Sequence, residues 1–297
     1  MSKELLDVEN KILYGDRKET FKIFLLDLLQ KSSLDKSIAV SLLDNKNIYD
    51  LYCNVFTHKS VNSKDNYEFF EMIGDVTCNK IIVWYLKDKF PFLCNCDGVK
   101  VLARLRINLV SKTTFSRWAS SLHFDKYISW DMETKLKQEA SVLEDVFEAF
   151  VGCTEMIVDT YIRGYAGTYC CSKFMKILLD KEKIELSYKK LYDPITRLKE
   201  TFDFYNSNTQ KSTCPYIYGN ISFSHEKLDT CLYHVKLLQS SGDKKHILLH
   251  ENGKSIIDVK YSLCQKYLNF LEENGFKKQE LKYYDDIENM RLKLENE

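Results

Sequence analysis

The chain has little proline, three residues in 297, and no run of about 18 apolar residues. The first scarcity excludes a collagen-like or proline-rich extended protein, and the second gives no reason to expect a membrane-spanning helix. Net charge is also lacking, with 43 basic and 43 acidic side chains. No bulk electrostatic attraction to nucleic acid follows from that balance, so the local distribution of charge has to be read instead. The first residues, Met1-Ser2-Lys3-Glu4-Leu5, carry no charged-then-apolar leader, and an intracellular, cytoplasmic location is expected. Hydrophobic residues make up 44% and aromatics 13%, enough to bury cores, and the length suggests two domains or one large one. The ten cysteines are scattered, and neither Cys94-x-Cys96 nor Cys170-Cys171 has the usual paired zinc spacing. Free thiols in a reducing compartment are the expectation.

Residues 1–190 read as mostly helical. Apolar residues recur at three- and four-residue spacing in Phe70, Ile73, Ile81 and Trp84, with the small Thr77 between them. The same spacing recurs in Leu102, Leu105 and Leu109, and in Val142, Val146, Ala149 and Phe150. Pro91 ends one helix and Asp97-Gly98 marks a turn. At Asp193-Pro194 a new helix is signalled by a capping aspartate with proline at the first helical position. Strand-like runs follow over 216–223, 231–238 and 245–249, then a break at His250-Glu251-Asn252-Gly253 and an amphipathic helix from Ser255 to about Glu273. The order α-β-β-β-α over 191–276 predicts a small second domain. Residues 277–297 form a charged tail, read as a loosely attached helix.

Local charge is uneven. Asp65, Glu68, Glu71 and Asp75 lie in a stretch with no base, as do Glu139, Glu144, Asp145, Glu148, Glu155 and Asp159. Glu71 and Asp75 share one helix face at i, i+4, and Asp145 and Glu148 share another at i, i+3. Like charges at these spacings destabilise a helix unless something compensates. Clustered carboxylates near an interior must be protonated, paired with distant bases or bound to a cation. A hard divalent ion suits an all-oxygen donor set, and such an ion activates water and stabilises the leaving oxygen of a phosphodiester. Charge alone fits two solvated helix surfaces equally well. Between Gly98 and Phe124 the balance reverses, with Lys100, Arg104, Arg106, Lys112 and Arg117 and no acid. That stretch is a candidate phosphate-facing surface through Lys112 and Arg117, while Arg104 and Arg106 suit structural pairing inside the fold. His58 is read as a hydrogen-bonded core residue, and Trp84, Trp118 and Trp130 as core rather than base-stacking platforms.

At these residues the sequence resembles the ribonuclease III family. Tyr67-Glu68-Phe69-Phe70-Glu71-Met72-Ile73-Gly74-Asp75 is similar to the family's N-E-R-L-E-F-L-G-D signature, and Thr57-His58-Lys59-Ser60 to its T-H-x-S segment. Residues 102–110 resemble its L-x-x-L-R-x-x-L-V helix and residues 144–152 its A-D-x-F-E-A-x-x-G segment. The resemblance covers roughly 45–180. It implies an all-helical catalytic domain in which Glu71, Asp75, Asp145 and Glu148 are the catalytic, metal-binding carboxylates, with Glu68 an additional acid beside them. It further implies Mg²⁺, with Mn²⁺ as an alternative, and cleavage of double-stranded RNA to 5′-phosphate and 3′-hydroxyl ends. A homodimer is implied as well, meeting through Phe70, Met72 and Ile73. Tyr67 and Phe69 depart from the usual Asn and Arg, which is read as a loss of polar groups around the site. Met72 departs from the usual Phe.

The α-β-β-β-α segment resembles a double-stranded-RNA-binding domain, where Glu200, Lys254 and Lys260 are the candidate RNA contacts. The usual lysine cluster at the start of the second helix is replaced by Ser255-Ile256-Ile257-Asp258, and from Asp193 to Phe276 there are ten bases and ten acids. A neutral domain loses most of the electrostatic attraction to phosphate, so this domain is expected to contact protein rather than RNA. The rival expectation is a catalytically silent, scaffolding member of the family, which loss of metal ligands would mark. Residue usage rich in Lys, Asn, Ile and Tyr suits an AT-rich genome, such as that of a large cytoplasmic DNA virus.

Overall fold

The computed structural model describes residues 11–207, 215–242, 244–276 and 282–295. The chain divides into two compact units with the boundary between Lys183 and Ile184, so residues 184–190 belong with the second unit.

In the first unit a two-residue strand β1 (Ile12–Leu13) precedes helices α1 (Glu19–Lys31), α2 (Lys36–Asp44) and α3 (Lys46–Val55). Helices α4 (Glu68–Lys89), α5 (Val99–Leu109) and α6 (Lys112–Ser121) follow. Strand β2 (Trp130–Asp131) pairs antiparallel with β1 and leads into α7 (Met132–Tyr161) and α8 (Gly167–Leu179). The 30-residue α7 is the spine of the unit. Its Val142, Val146, Ala149 and Phe150 are all buried, as the sequence periodicity predicts, and so is Phe147. Phe147 and Phe150 pack against Phe124 and Phe174, and Phe147 also against Phe115 and Trp118.

Two glycines decide how α4 meets α7. A Cβ on Gly74 would lie 1.8 Å from the Glu148 carbonyl oxygen, and one on Gly152 would lie 2.2 Å from the Phe70 carbonyl oxygen. No side chain fits such a crossing, so the helices touch backbone to backbone. Helix α4 buries Phe70, Gly74, Thr77, Cys78, Ile81, Ile82 and Leu86. Trp84, assigned to the core stripe from spacing alone, is instead 56% exposed, whereas Trp118 and Trp130 are buried. Spacing places Trp84 three residues from Ile81, but the Gly74 contact rotates the buried face away from it.

The second unit holds α9 (Tyr188–Leu191), α10 (Pro194–Ser207), the antiparallel sheet β3 (Asn220–Asp229), β4 (Leu232–Ser241) and β5 (Lys244–Gly253), then α11 (Ile256–Glu273) and α12 (Lys282–Glu295). Asp193 caps α10 as read from sequence, accepting from the Thr196 backbone N–H at 2.9 Å and its hydroxyl at 2.7 Å. Ser255 caps α11. The expected break at 250–253 does not occur. His250 and Asn252 are paired with Lys236 and His234 and continue β5, with the ladder register shifting further back at Leu237/Leu238. The core gathers Leu198, Phe202, Val235, Leu237, Leu263 and Tyr267. The segment read as a loose tail forms α12, where Tyr284, Ile287 and Arg291 are buried and Tyr192 and Tyr284 hydroxyls meet at 3.1 Å. The nine described cysteines are free thiols, and Cys214 lies outside the described residues. Among the described residues no helix is long and apolar enough to cross a membrane.

Candidate active site

The glycine crossing brings the two acid pairs together. Glu71 and Asp75 flank Gly74 on α4, and Glu148, whose backbone oxygen Gly74 abuts, lies on α7 one turn from Asp145. Glu148 is 7% exposed, and no hydrogen bond or ion pair reaches its carboxylate among the described residues. Burial, then the charges of Asp75, Glu144, Glu71 and Asp145, push its pKa up to about 8. Burial followed by Asp145, Glu68 and Glu144 pushes Glu71 up to about 7. Burial raises Asp145 and Glu144 as well, and the Lys112 ammonium opposes the rise in both.

Mutual electrostatic effects on this scale mean that the four carboxylates share one neighbourhood. Yet among the described residues no three His, Cys, Asp or Glu side chains are drawn into a set able to hold a metal ion. The Gly74–Glu148 contact brings the two helix backbones together without bringing three carboxylates onto one point. The donor set is all oxygen and short of basic partners, with Glu148 buried, Glu71 and Asp145 half-buried and Asp75 exposed, which fits a hard divalent cation better than a softer metal.

Neighbours that the sequence reading did not assign hold the acids in place. Tyr67 is buried and donates its hydroxyl to Asp145 Oδ2 at 2.9 Å. The expected loss of polar groups at this position is therefore corrected, because the tyrosine reaches across 78 residues of sequence to a site acid. Asn79 Nδ2 donates to Asp75 Oδ1 at 2.9 Å, and Arg106 donates to Asn79 Oδ1 at 2.7 Å. This gives Arg106 the structural pairing expected of it. Glu68 is in an ion pair with Lys59 at 2.8 Å, and the Lys59 charge also acts on Glu71 and Asp145. Only the long-range pairing reveals these roles; Tyr67 had one local signal, its departure from the family's Asn.

The other sequence-assigned residues fall into different settings. Lys112 donates to Ser141 on α7 at 2.7 Å, beside the acids. Arg117 is held in a two-pronged pair with Glu182, both bonds at 2.9 Å, and is not a free phosphate ligand. Glu200 accepts from the Tyr188 hydroxyl. Lys260 lies 5.2 Å over the Phe223 ring, and Lys254 is exposed. Of the expected dimer contacts, Met72 is 63% exposed and Ile73 half-buried, but Phe70 is 5% exposed and belongs to the core. The open apolar face of α4 consists of Phe69, Met72 and Val76. His58 is buried with Nδ1 2.8 Å from the Ser60 hydroxyl, the structural role expected of it.

A family model described as ribonuclease-III-like matches residues 49–157, the stretch that holds all four acids. A "Putative ribonuclease 3" of Invertebrate iridescent virus 6 is 32% identical over 201 residues, covering 64% of this chain and 68% of that protein. A "Putative ribonuclease 3" of Frog virus 3 (isolate Goorha) is 41% identical over 179 residues, covering 60% of this chain and 47% of that protein. The chain thus spans about half the length of the frog virus relative. Among solved structures, the nuclease domain of ribonuclease III from Campylobacter jejuni aligns over 57% of this chain and 99% of its own, at 23% identity and a TM-score of 0.41. The chain belongs to the ribonuclease III family, a family of endoribonucleases. These two relatives are viral, in keeping with the source suggested by residue usage, and bacterial relatives match too, among them "Ribonuclease 3" of Aliarcobacter butzleri, 35% identical over 111 residues, covering 36% of this chain and 46% of that protein.

Proposed function

We propose that the chain hydrolyses double-stranded RNA in the cytoplasm, giving 5′-phosphate and 3′-hydroxyl ends, with Glu71, Asp75, Asp145 and Glu148 as the catalytic acids. The observation that carries this reading is the convergence of four acids, two of them pushed to pKa values of about 7 and 8, without a basic partner for Glu148. The same four acids would hold Mg²⁺, or Mn²⁺ in its place. The ion supplies an activated water and charge stabilisation at the phosphate. The chain's own contribution is positional. Tyr67 fixes the orientation of Asp145, and Asn79, backed by Arg106, fixes that of Asp75. The burial of Glu148 strengthens the charge interactions that its carboxylate makes. Lys59 and Lys112 keep net repulsion within bounds before a cation arrives.

One chain carries one such set, whereas cutting both strands of a duplex takes two. A homodimer is therefore part of the proposal, closed by a two-fold contact of the exposed Phe69, Met72 and Val76 face. Two sets related by that axis would leave a short 3′ overhang. A silent scaffolding member would be marked by loss of ligands, and all four acids are retained. Incubation of the purified chain with duplex RNA, with and without Mg²⁺, tests the reading. Metal-dependent shortening to products that accept 3′ ligation and carry a 5′-phosphate is the expected result. Intact duplex in the presence of both ions would leave the scaffolding role.

A further inference from the structure

The exposed Trp84 belongs to a surface that the acid cluster does not use. The last turns of α4 and the outer face of α8 border a groove of about 490 Å³, lined among others by Ile81, Trp84, Tyr85, Lys173, Lys176 and Leu179. Ile81 and Leu179 are buried, so the apolar surface left open in the groove comes from aromatic rings. Tyr169, also exposed, extends this ring surface along α8.

Lysines interleave with the rings. Lys87 lies 5.1 Å from the Trp84 ring centre, Lys89 5.4 Å from that of Tyr85, and Lys173 4.8 Å from that of Tyr169. Lys176 lies 5.8 Å from the Tyr85 ring and pairs with Asp180 at 2.7 Å. Lys87 pairs with Asp88 at 3.0 Å, Lys176 with Asp180 and Arg117 with Glu182, while Lys173 adds its charge beside the Tyr169 ring. Counting Lys87, Lys89, Lys173 and Lys176 against Asp88 and Asp180, this surface carries more basic than acidic side chains.

From this arrangement we infer that the α4–α8 groove binds an unpaired RNA strand, with a base stacked on Trp84 and a backbone phosphate on Lys173. Aromatic rings set among lysines are the standard surface for single strands, because every base has a π-face and every phosphate a charge. A duplex hides its base faces in its own stack and would not fill the groove in this way. Aromatic rings also anchor protein contacts, and the lysines set among these rings favour a phosphate-bearing partner instead. The inference extends the proposed function, since it gives the enzyme a hold on the single-stranded flank of a substrate. It does not depend on the acids, and Glu148→Gln should leave it intact.

The test uses the full chain with a labelled oligouridylate strand in EDTA, so that nothing is cut. Trp118 and Trp130 are buried, so quenching of the solvent-exposed tryptophan emission reports on Trp84. Binding should quench that emission. Trp84→Ala should weaken affinity roughly tenfold, and Trp84→Phe should retain most of it, as stacking requires. Lys173→Ala should lower the slope of log affinity against log salt by about 0.7. Unquenched emission, or unchanged affinity in Trp84→Ala, would overturn the inference. Altered sedimentation of Trp84→Ala with unchanged strand affinity would also overturn it, and would assign the groove to a contact between copies of the chain.

Discussion

The two units treat their charges in opposite ways. In the first, the buried Glu148 and the half-buried Glu71 act on one another's neighbourhood at the cost of raised pKa values. In the second, the candidate RNA-facing groups are engaged internally or replaced: Glu200 takes the Tyr188 hydroxyl, Lys260 covers Phe223, and Ile257 stands exposed where a lysine cluster is usual in similar domains. A fold tolerates unfavourable electrostatics at a few positions when the rest of its packing is favourable. The first unit holds acids near one another without a base for Glu148, and the second engages charged groups in internal contacts.

The sharpest break in that comparison is Glu148→Gln. Duplex cleavage should fall by more than about 100-fold, beyond the usual effect of losing a group that merely supports a metal ligand. The metal-free variant should nevertheless be more stable than the parent at pH 8. Between the ordinary value of 4.5 and about 8 the folded parent holds a proton on Glu148 that the unfolded chain has released, so its stability falls as pH rises through this window. Glutamine cannot ionise, and thermal melts across pH 5–9 in EDTA should show a shallower slope. A parent melt that is flat across this range would mean that Glu148 is not buried as a strained acid.

Next in size is Met72→Glu, which sets a charge in the proposed two-fold contact. An unpaired buried charge costs several kcal/mol, so light scattering at micromolar concentration should show monomers where the parent is dimeric. Gly152→Ala tests the helix crossing itself. Its methyl group would collide with the Phe70 carbonyl, and urea unfolding should reveal a loss of about 3 kcal/mol. Loss of cleavage in Gly152→Ala at temperatures where it remains folded would show that the acids depend on the spacing of α4 and α7.

Tyr67→Phe removes one hydroxyl and almost no volume. Calorimetric affinity for Mg²⁺ should drop about tenfold, with cleavage recovering as the ion concentration is raised. Unchanged affinity would leave Tyr67 a packing residue. The smallest effect belongs to the second unit, where Lys254→Ala/Lys260→Ala in the full chain should weaken duplex binding by less than about twofold at physiological salt. The usual loss from removing two phosphate contacts would be larger and strongly salt-dependent. A large effect would restore the second unit as an RNA-binding domain.

Much of this was legible in the sequence, because the relevant signals are local. Capping at Asp193 and Ser255 needs only a side chain and a backbone N–H three residues on. The acid pairs share faces because a helix turns once every 3.6 residues. The order of elements follows from spacing, and the resemblance to the family follows from residues in order along the chain. What local spacing leaves open is which of two apolar faces of one helix is buried. Helix α4 has two, and the assignments of Phe70 to an interface and Trp84 to the core both failed on that point. The backbone contact of Gly74 with Glu148 sets the rotation of α4, turning Phe70 in and Phe69, Met72 and Trp84 out. Likewise β5 runs through 250–253 because β4 offers it a ladder of partners, which a local turn signal does not register. Residue identity determined the inventory of acids, caps and elements. Tertiary structure decided their partners, Tyr67 with Asp145 and Asn79 with Asp75 and Arg106, because those contacts depend on how two helices cross rather than on where either begins.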